Sequence, residues 1–165
     1  MKKTDKFLVG FVVAVILLVV VAFVVALRHP KATYQPEDKP EGIAFNYLFA
    51  LQQGDYERAY GYLSPSVKGY PADVSKFRRD IQNSWNFSGL KDNSVTLEVL
   101  SSETTGRLAV ITIRQTTFYE NGLFDSGEYS NTFDMTLQQE KDNAWKIVNS
   151  DNYWVYCWDY VKGCK

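Results

Sequence analysis

The stretch that decides the fold is residues 107–139, RLAVITIRQTTFYENGLFDSGEYSNTFDMTLQQ. In both of its arms, apolar side chains occupy every second position: Ala109, Ile111 and Ile113, then Phe133, Met135 and Leu137. Alternation with a period of two is typical of a β-strand with one buried face. Asn121-Gly122, between the arms, is a turn signal. The stretch therefore predicts two antiparallel strands joined by a turn.

Two further strands flank this pair. Residues 94–100, SVTLEVL, alternate in the same way, with Val95, Leu97 and Val99 on one face. Residues 145–148, WKIV, follow a turn at Lys141-Asp142-Asn143. The second half of the chain thus predicts an antiparallel sheet of about four strands.

The residues before the sheet repeat at helical spacing instead. A first helix is predicted in residues 41–55, EGIAFNYLFALQQGD, buried on more than one side, with Gly54 as its C-terminal cap. Asp55 is placed to cap a second helix in residues 56–63. A third helix is expected to start at Pro71, and its apolar stripe would be Val74, Phe77, Ile81 and Trp85. Three helices before four strands indicate an α+β domain with helices on one sheet face.

Two segments carry a resemblance to a known superfamily. Residues 44–65, AFNYLFALQQGDYERAYGYLSP, and residues 132–150, TFDMTLQQEKDNAWKIVNS, resemble the NTF2-like (cystatin-like) superfamily, and especially its branch of membrane-anchored domains of unknown function. The resemblance implies a bent sheet that wraps around the helices and leaves a cone-shaped pocket at its open end. It also implies that the chain could form a homodimer, as many relatives do. The family hosts isomerases, dehydratases and binding modules, so it implies a fold and not one function.

The N-terminal segment is a candidate membrane anchor. Residues 7–27, FLVGFVVAVILLVVVAFVVAL, carry no charge. As a helix they would be about 31 Å long, close to the roughly 30 Å hydrocarbon thickness of a bilayer. The apolar core of a signal peptide is shorter, about 7–15 residues. The sequence therefore predicts a transmembrane helix, with cleavage after Ala26 as the alternative.

The charges that flank this segment predict its orientation. Three lysines precede it and two basic residues follow it: Lys2, Lys3, Lys6, Arg28 and Lys31. The positive-inside rule then places residues 1–6 in the cytoplasm and the rest outside the cell membrane. Residues 28–41 contain three prolines and read as a solvated stalk, which leaves residues 42–165 as the extracytoplasmic domain.

The charge balance excludes one class of partner. Residues 32–165 carry 13 Lys and Arg against 18 Asp and Glu, a net charge of −5. An acidic domain is poorly suited to gripping nucleic acid. The predicted partners are the lipid bilayer, through residues 7–27, and a small ligand, glycan or protein. No cofactor and no metal site are predicted.

The C-terminal segment, residues 151–165, is the most individual part of the sequence. Trp154, Tyr156, Trp158 and Tyr160 recur at every second position, so an extended strand would project all four from one face. Such a ladder would pack on the core, form a platform for a ligand or contact the membrane interface. Cys157 and Cys164 enclose six residues, and a turn at Lys162-Gly163 would let them form a structural disulfide. Two reduced buried thiols are the alternative if the orientation is inward.

The sequence leaves three functional classes open. A binding or interaction module is favoured, with candidate ligand contacts at Tyr47, Tyr60, Trp85, Trp154, Tyr156, Trp158 and Tyr160. The second class is an enzyme of the steroid-isomerase type, which would need a carboxylate such as Asp134 beside Tyr47 or Tyr60 in the pocket. The alternation of its strand instead places Asp134 on the solvated face. The only histidine, His29, lies outside the domain. The third class is a purely structural accessory domain.

Overall fold

A computed structural model describes residues 3–27, 32–90, 94–120, 122 and 125–164. The chain divides into two units, Met1–Thr33 and Tyr34–Lys165. Five residues named in the sequence analysis lie outside the described residues: the flanking charges Lys2, Arg28 and Lys31, the single histidine His29, and Asn121 of the predicted turn.

The first unit contains one helix, α1 (Lys3–Leu27). Its stretch Lys6–Val24 has a mean hydropathy of 3.4 and is long and apolar enough to cross a membrane. A signal sequence near the N-terminus can also be long and apolar enough to meet this criterion, so either is compatible with this helix.

The second unit opens with two helices that begin and end where their sequence signals lie. Helix α2 (Pro40–Gln53) has proline in its first turn and ends at Gly54, whose φ of 72° is the left-handed conformation that glycine adopts readily. Helix α3 (Tyr56–Gly61) follows at once, and Asp55 caps it by accepting a hydrogen bond from Arg58 N at 3.1 Å. Helix α2 is buried on most sides, as predicted.

Helix α4 (Val74–Gln82) is shorter than predicted. It starts three residues after Pro71, because Asp73 accepts a hydrogen bond from Lys76 N at 2.8 Å and provides the N-cap. It also stops before Trp85. That residue lies in a separate 3₁₀ turn, Trp85–Phe87, and is 83% exposed. The prediction that Trp85 completes the apolar stripe of this helix is therefore wrong.

The four strands form one antiparallel sheet in the order β1-β2-β3-β4. Their bounds are β1 Val95–Thr105, β2 Leu108–Glu120, β3 Ser126–Gln139 and β4 Trp145–Ser150. The predicted buried faces are confirmed, since Ile111 pairs with Met135 and both side chains belong to the core. The outer edge of β4 carries a short parallel bridge between Leu63 and Ile147. The α+β class and the order of elements expected from the sequence are thus confirmed.

The core lies between the sheet and α2, with α4 and the C-terminal segment closing it. Tyr47 and Leu48 of α2 are fully buried against the inward side chains of the sheet. Phe77 of α4 stacks on Trp158, with ring centroids 5.4 Å apart. Tyr153 packs edge-to-face on Phe133 of β3 at 5.7 Å.

The C-terminal segment is not an extended strand. After β4 the chain makes a 3₁₀ turn at Tyr156–Asp159. The turn rotates successive side chains, so Trp154 and Trp158 are buried while Tyr156 and Tyr160 are exposed. The predicted single-faced ladder is therefore wrong. The predicted disulfide is present and joins Cys157 to Cys164, whose Cα atoms are 5.1 Å apart.

The end of the predicted stalk packs on the folded unit. Gln35 and Asn46 exchange two hydrogen bonds of 2.7 and 2.8 Å. Glu37 accepts bonds from Arg58 and Tyr62, both at 2.7 Å. The Arg58 guanidinium also lies 3.5 Å from the centroid of the Tyr34 ring. Residues 34–39 thus belong to the second unit, although residues 35–39 are exposed to solvent.

Candidate functional site

Buried residues of α4 and of the C-terminal segment build the floor of the candidate site. The side chain of Asp80 is 5% exposed and accepts a hydrogen bond from Trp158 Nε1 at 3.1 Å. It also forms an ion pair with Lys76 Nζ at 2.7 Å. Trp154 stands edge-to-face on Trp158, with centroids 5.1 Å apart. These contacts satisfy the buried carboxylate and fix α4 to the C-terminal segment.

A second set of bonds fixes the 3₁₀ turn that carries Trp85. Asn86 Nδ2 donates to the Trp154 carbonyl at 2.9 Å, and Trp154 Nε1 donates to Asp159 Oδ1 at 2.9 Å. Both turns next to the site are thereby tied to Trp154, one through its backbone carbonyl and the other through its buried indole. The disulfide holds the far end of the C-terminal segment in place.

An open cleft of about 320 Å³ lies above this floor. We call it the aromatic cleft; residues 83–86 and 155–157 line it, together with Asp80 and Cys164. Trp85 is 83% exposed and Tyr156 is 70% exposed. The side chains of Asn83 and Ser84 form no hydrogen bond with another described residue and are free to bind a polar group. Exposed aromatic faces beside free polar groups are typical of a binding surface.

The predicted contact residues divide into a surface group and a buried group. Trp85, Tyr156 and Tyr160 are exposed, and the Tyr160 hydroxyl donates to the Tyr156 hydroxyl. Trp154 and Trp158 lie beneath them and act as packing residues. The candidate site therefore keeps only the surface members.

The two tyrosines predicted on the helices lie elsewhere. Tyr47 is fully buried and donates its hydroxyl to the Tyr153 carbonyl at 3.2 Å. Burial raises the pKa of this phenol, which keeps it protonated. Tyr60 donates to the Pro71 carbonyl at 2.9 Å. Both hydroxyls thus have structural partners in the fold.

The groups required by the isomerase alternative do not meet. Asp134 is exposed on the outer sheet face, where it accepts a hydrogen bond from Thr112 Oγ1 at 2.8 Å. Tyr47 lies on the inner side among the core residues. Arg114 is also on the outer face and forms an ion pair with Glu98 at 3.2 Å. Within the described part of the chain, no group of three or more His, Cys, Asp or Glu side chains could hold a metal ion.

A third set of polar residues surrounds residues 34–39, which precede helix α2. Glu37, Arg58 and Tyr62 line a cleft of about 450 Å³. Hydrogen bonds from Tyr62 and Arg58 hold the pKa of the Glu37 carboxyl below its ordinary value. Burial, together with the bond to Glu37, raises the pKa of Tyr62 to about 12. Since all three polar groups are already paired with one another, they fasten the segment and leave little for a ligand.

Sequence reasoning missed the cluster of cations beside the aromatic cleft. Lys68, Lys76, Arg79 and Lys162 come from separate parts of the sequence and line one neighbouring cleft. Nothing in the local spacing of Lys68 and Lys162, 94 positions apart in the numbering, signals that they meet. Only the disulfide and the packing of the C-terminal segment bring them together.

No family model and no curated protein matches the chain. Solved structures that resemble it include a SEC-C motif protein from Rhodopseudomonas palustris, with 15% identity, 71% of this chain and 80% of that chain covered, and a TM-score of 0.48. A ketosteroid isomerase-like protein from Erwinia carotovora atroseptica is 10% identical, and the match covers 67% of this chain and 89% of that protein, with a TM-score of 0.45. An NTF2-like protein with a cystatin-like fold from Novosphingobium aromaticivorans is 12% identical, and the match covers 67% of this chain and 75% of that protein, with a TM-score of 0.45.

NTF2-like and ketosteroid isomerase-like proteins are thus among the structural neighbours. At this degree of similarity, the function of the chain has to be inferred from its own residues.

Proposed function

We propose that the chain is a single-pass, membrane-anchored NTF2-like module that binds a ligand outside the cell membrane and does not catalyse a reaction. Helix α1 would be the anchor and residues 1–6 would be cytoplasmic. The disulfide supports an extracytoplasmic domain, because disulfides persist in oxidising compartments.

The observation that carries the proposal is the exposure of Trp85 above a rigid floor. An indole that is 83% exposed adds little to the stability of the fold. The 3₁₀ turn beneath it is nevertheless fixed by the bond from Asn86 to Trp154. A rigidly presented aromatic side chain binds a ligand with a small loss of conformational entropy, which is the usual advantage of a preorganised site.

The shape of the aromatic cleft indicates the kind of ligand. The cleft is shallow, with flat faces from Trp85 and Tyr156 and free polar groups on Asn83 and Ser84. A sugar ring combines an apolar face with polar edges and fits such a surface. The non-catalytic assignment is supported by the aromatic cleft itself, which contains one carboxylate, Asp80, already bonded to Lys76 and Trp158.

The test is binding of soluble oligosaccharides and peptides to the full chain in detergent micelles, measured by native mass spectrometry. We expect the wild type to retain at least one oligosaccharide and Trp85→Ala to lose tenfold or more in affinity, which is about 1.4 kcal/mol. Tyr129→Ala is the matched control, since Tyr129 is 65% exposed on β3 and does not line the aromatic cleft. Equal binding by Trp85→Ala and the wild type would refute the site.

A further inference from the structure

A cleft of about 310 Å³ adjoins the aromatic cleft. We call it the basic cleft; residues 68–73 and 161–164 line it, together with Lys76, Arg79 and Asp80 of α4. We propose that the basic cleft binds an acidic group and that the ligand of this protein is therefore an acidic glycan, its rings in the aromatic cleft and its carboxylates or other anionic groups in the basic cleft. This inference rests on the proposed function.

The charges of the basic cleft are not balanced. It is lined by four cationic side chains, Lys68, Lys76, Arg79 and Lys162, and by two carboxylates, Asp73 and Asp80. Lys76 is paired with Asp80. Lys68, Arg79 and Lys162 are exposed and form no ion pair with any other residue that the structure describes.

This local excess runs against the charge of the domain. Residues 32–165 carry a net charge of −5. Like charges gathered on one surface repel each other, so the cluster lowers the stability of the fold unless an anion binds there. A carboxylate or phosphate group is the ligand chemistry that three unpaired cations favour.

The backbone around the basic cleft is held at close range. Gly69 N donates to the Trp158 carbonyl at 2.8 Å. A Cβ on Gly69 would stand 2.6 Å from the Cys157 carbonyl oxygen and 2.9 Å from the Gly163 Cα atom, so only glycine fits. This contact and the disulfide keep Lys68 and Lys162 on either side of one groove.

The two clefts are adjacent, because Asp80 and Cys164 line both of them. A ligand that spans them needs flat rings on one side and negative charge on the other. An acidic peptide is less suited to this surface. No described strand edge lines either cleft to pair with a peptide backbone, and the lining contains no long apolar groove for an amphipathic helix. An oligosaccharide of uronic acids meets both requirements.

The test compares two probes that differ only in charge: an oligogalacturonate and its methyl ester. Binding to the full chain in micelles is measured by isothermal titration calorimetry at low salt. We expect the acid to bind at least tenfold more tightly than the ester, and this preference to fall as salt is added. The double variant Lys68→Gln/Lys162→Gln should lose most of the preference while its affinity for the ester stays unchanged. Lys141→Gln, in the β3–β4 turn and outside both clefts, is the control.

The outcomes separate the two proposals. Equal affinity for acid and ester, with both weakened in Trp85→Ala, would overturn the acidic subsite and keep the aromatic site. Undiminished affinity for both probes in Trp85→Ala, with the preference for the acid retained, would overturn the aromatic site and keep the acidic subsite. Binding of polyglutamate with the same affinity as the oligogalacturonate, or binding of neither galacturonate probe, would overturn the acidic glycan.

Discussion

At the scale of single residues, Asp80 carries the largest structural role. Its carboxylate joins Lys76 on its own helix to Trp158, which lies 78 residues away. Helical spacing could have shown the ion pair with Lys76, four positions away, but nothing in the sequence near Asp80 indicates its contact with Trp158. By contrast, the cap at Asp55 and the pairing of Cys157 with Cys164 are predictable, since each involves partners close in the chain.

Replacing Asp80 by alanine should lower the free energy of unfolding by about 2–3 kcal/mol, since the Trp158 N–H and the half-buried Lys76 ammonium lose their acceptor. Asp80→Asn should cost about half as much, because one acceptor oxygen is kept. Urea unfolding followed by tryptophan fluorescence measures both. Glu103→Ala, at an exposed position of β1, is the control and should change stability by less than about 0.5 kcal/mol. A loss no larger than that of the control would contradict this role of Asp80.

Gly42 is the second residue with a measurable role. A Cβ at this position would lie 2.0 Å from the Pro36 carbonyl oxygen, so Gly42→Ala should push residues 34–38 away from α2. Gly61→Ala is the matched control, because a Cβ there meets no atom within 4 Å and alanine favours a helix by about 0.5–1 kcal/mol over glycine. We expect the amide of Gln35 to exchange faster in Gly42→Ala than in the wild type. In Gly61→Ala its exchange rate should be unchanged. An unchanged exchange rate in both variants would show that residues 34–38 tolerate the methyl group.

At the scale of elements, the packing of residues 34–38 on the second unit should respond to acid. The hydrogen bond from Tyr62, followed by that from Arg58, lowers the pKa of Glu37 from its ordinary value of 4.5. A lowered pKa in the folded state means that the stabilisation is present above pH 4.5 and is lost as the pH falls through the folded pKa. Residues 34–38 should therefore detach in acid before the core unfolds.

The chemical shift of the Gln35 amide, which donates to Asn46, reports this release in an NMR titration from pH 6 to pH 2.5. In Glu37→Gln the shift should lose most of its pH dependence below the ordinary pKa of Glu. Arg58 and Tyr62 bond Glu37 and stay protonated throughout this range, and the charge of Lys146 also lowers the pKa of Glu37. A transition of equal size in Glu37→Gln would assign the effect to another carboxylate.

The sequence predicts most elements, but it extends helix α4 too far at both ends and misassigns the C-terminal segment. The strands were predictable because their period of two reflects one buried and one exposed face, as at Ile113 and Arg114. The C-terminal segment has the same period in its aromatic residues, yet it forms a 3₁₀ turn. Period alone failed there because the indoles of Trp154 and Trp158 find polar partners in Asp159 and Asp80, and these contacts require a turn rather than a strand.

At the scale of the whole molecule, the testable property is the topology. If α1 is an uncleaved anchor, the chain purified from membranes should have the mass of all 165 residues, and protease added to intact spheroplasts should digest the part after residue 33. Substituting Lys2, Lys3 and Lys6 with glutamate should reduce this digestion, because basic flanks hold the N-terminus inside. A soluble chain that begins at Leu27 would instead identify residues 1–26 as a signal peptide.

The arrangement of the sheet edges limits how copies of the chain can associate. Ser64 N donates to the Ile147 carbonyl and Ile147 N donates to the Tyr62 carbonyl, each at 2.9 Å, so the middle of the β4 edge is occupied by its own chain. The opposite edge, on β1, pairs with no other strand among the described residues. Endless fibre growth needs two open edges on every copy, one to receive and one to offer a strand. Among the described residues two stretches of edge stay open, β1 and residues 126–133 of β3, which extend beyond β4, so a strand of another copy is excluded only from the middle of β4.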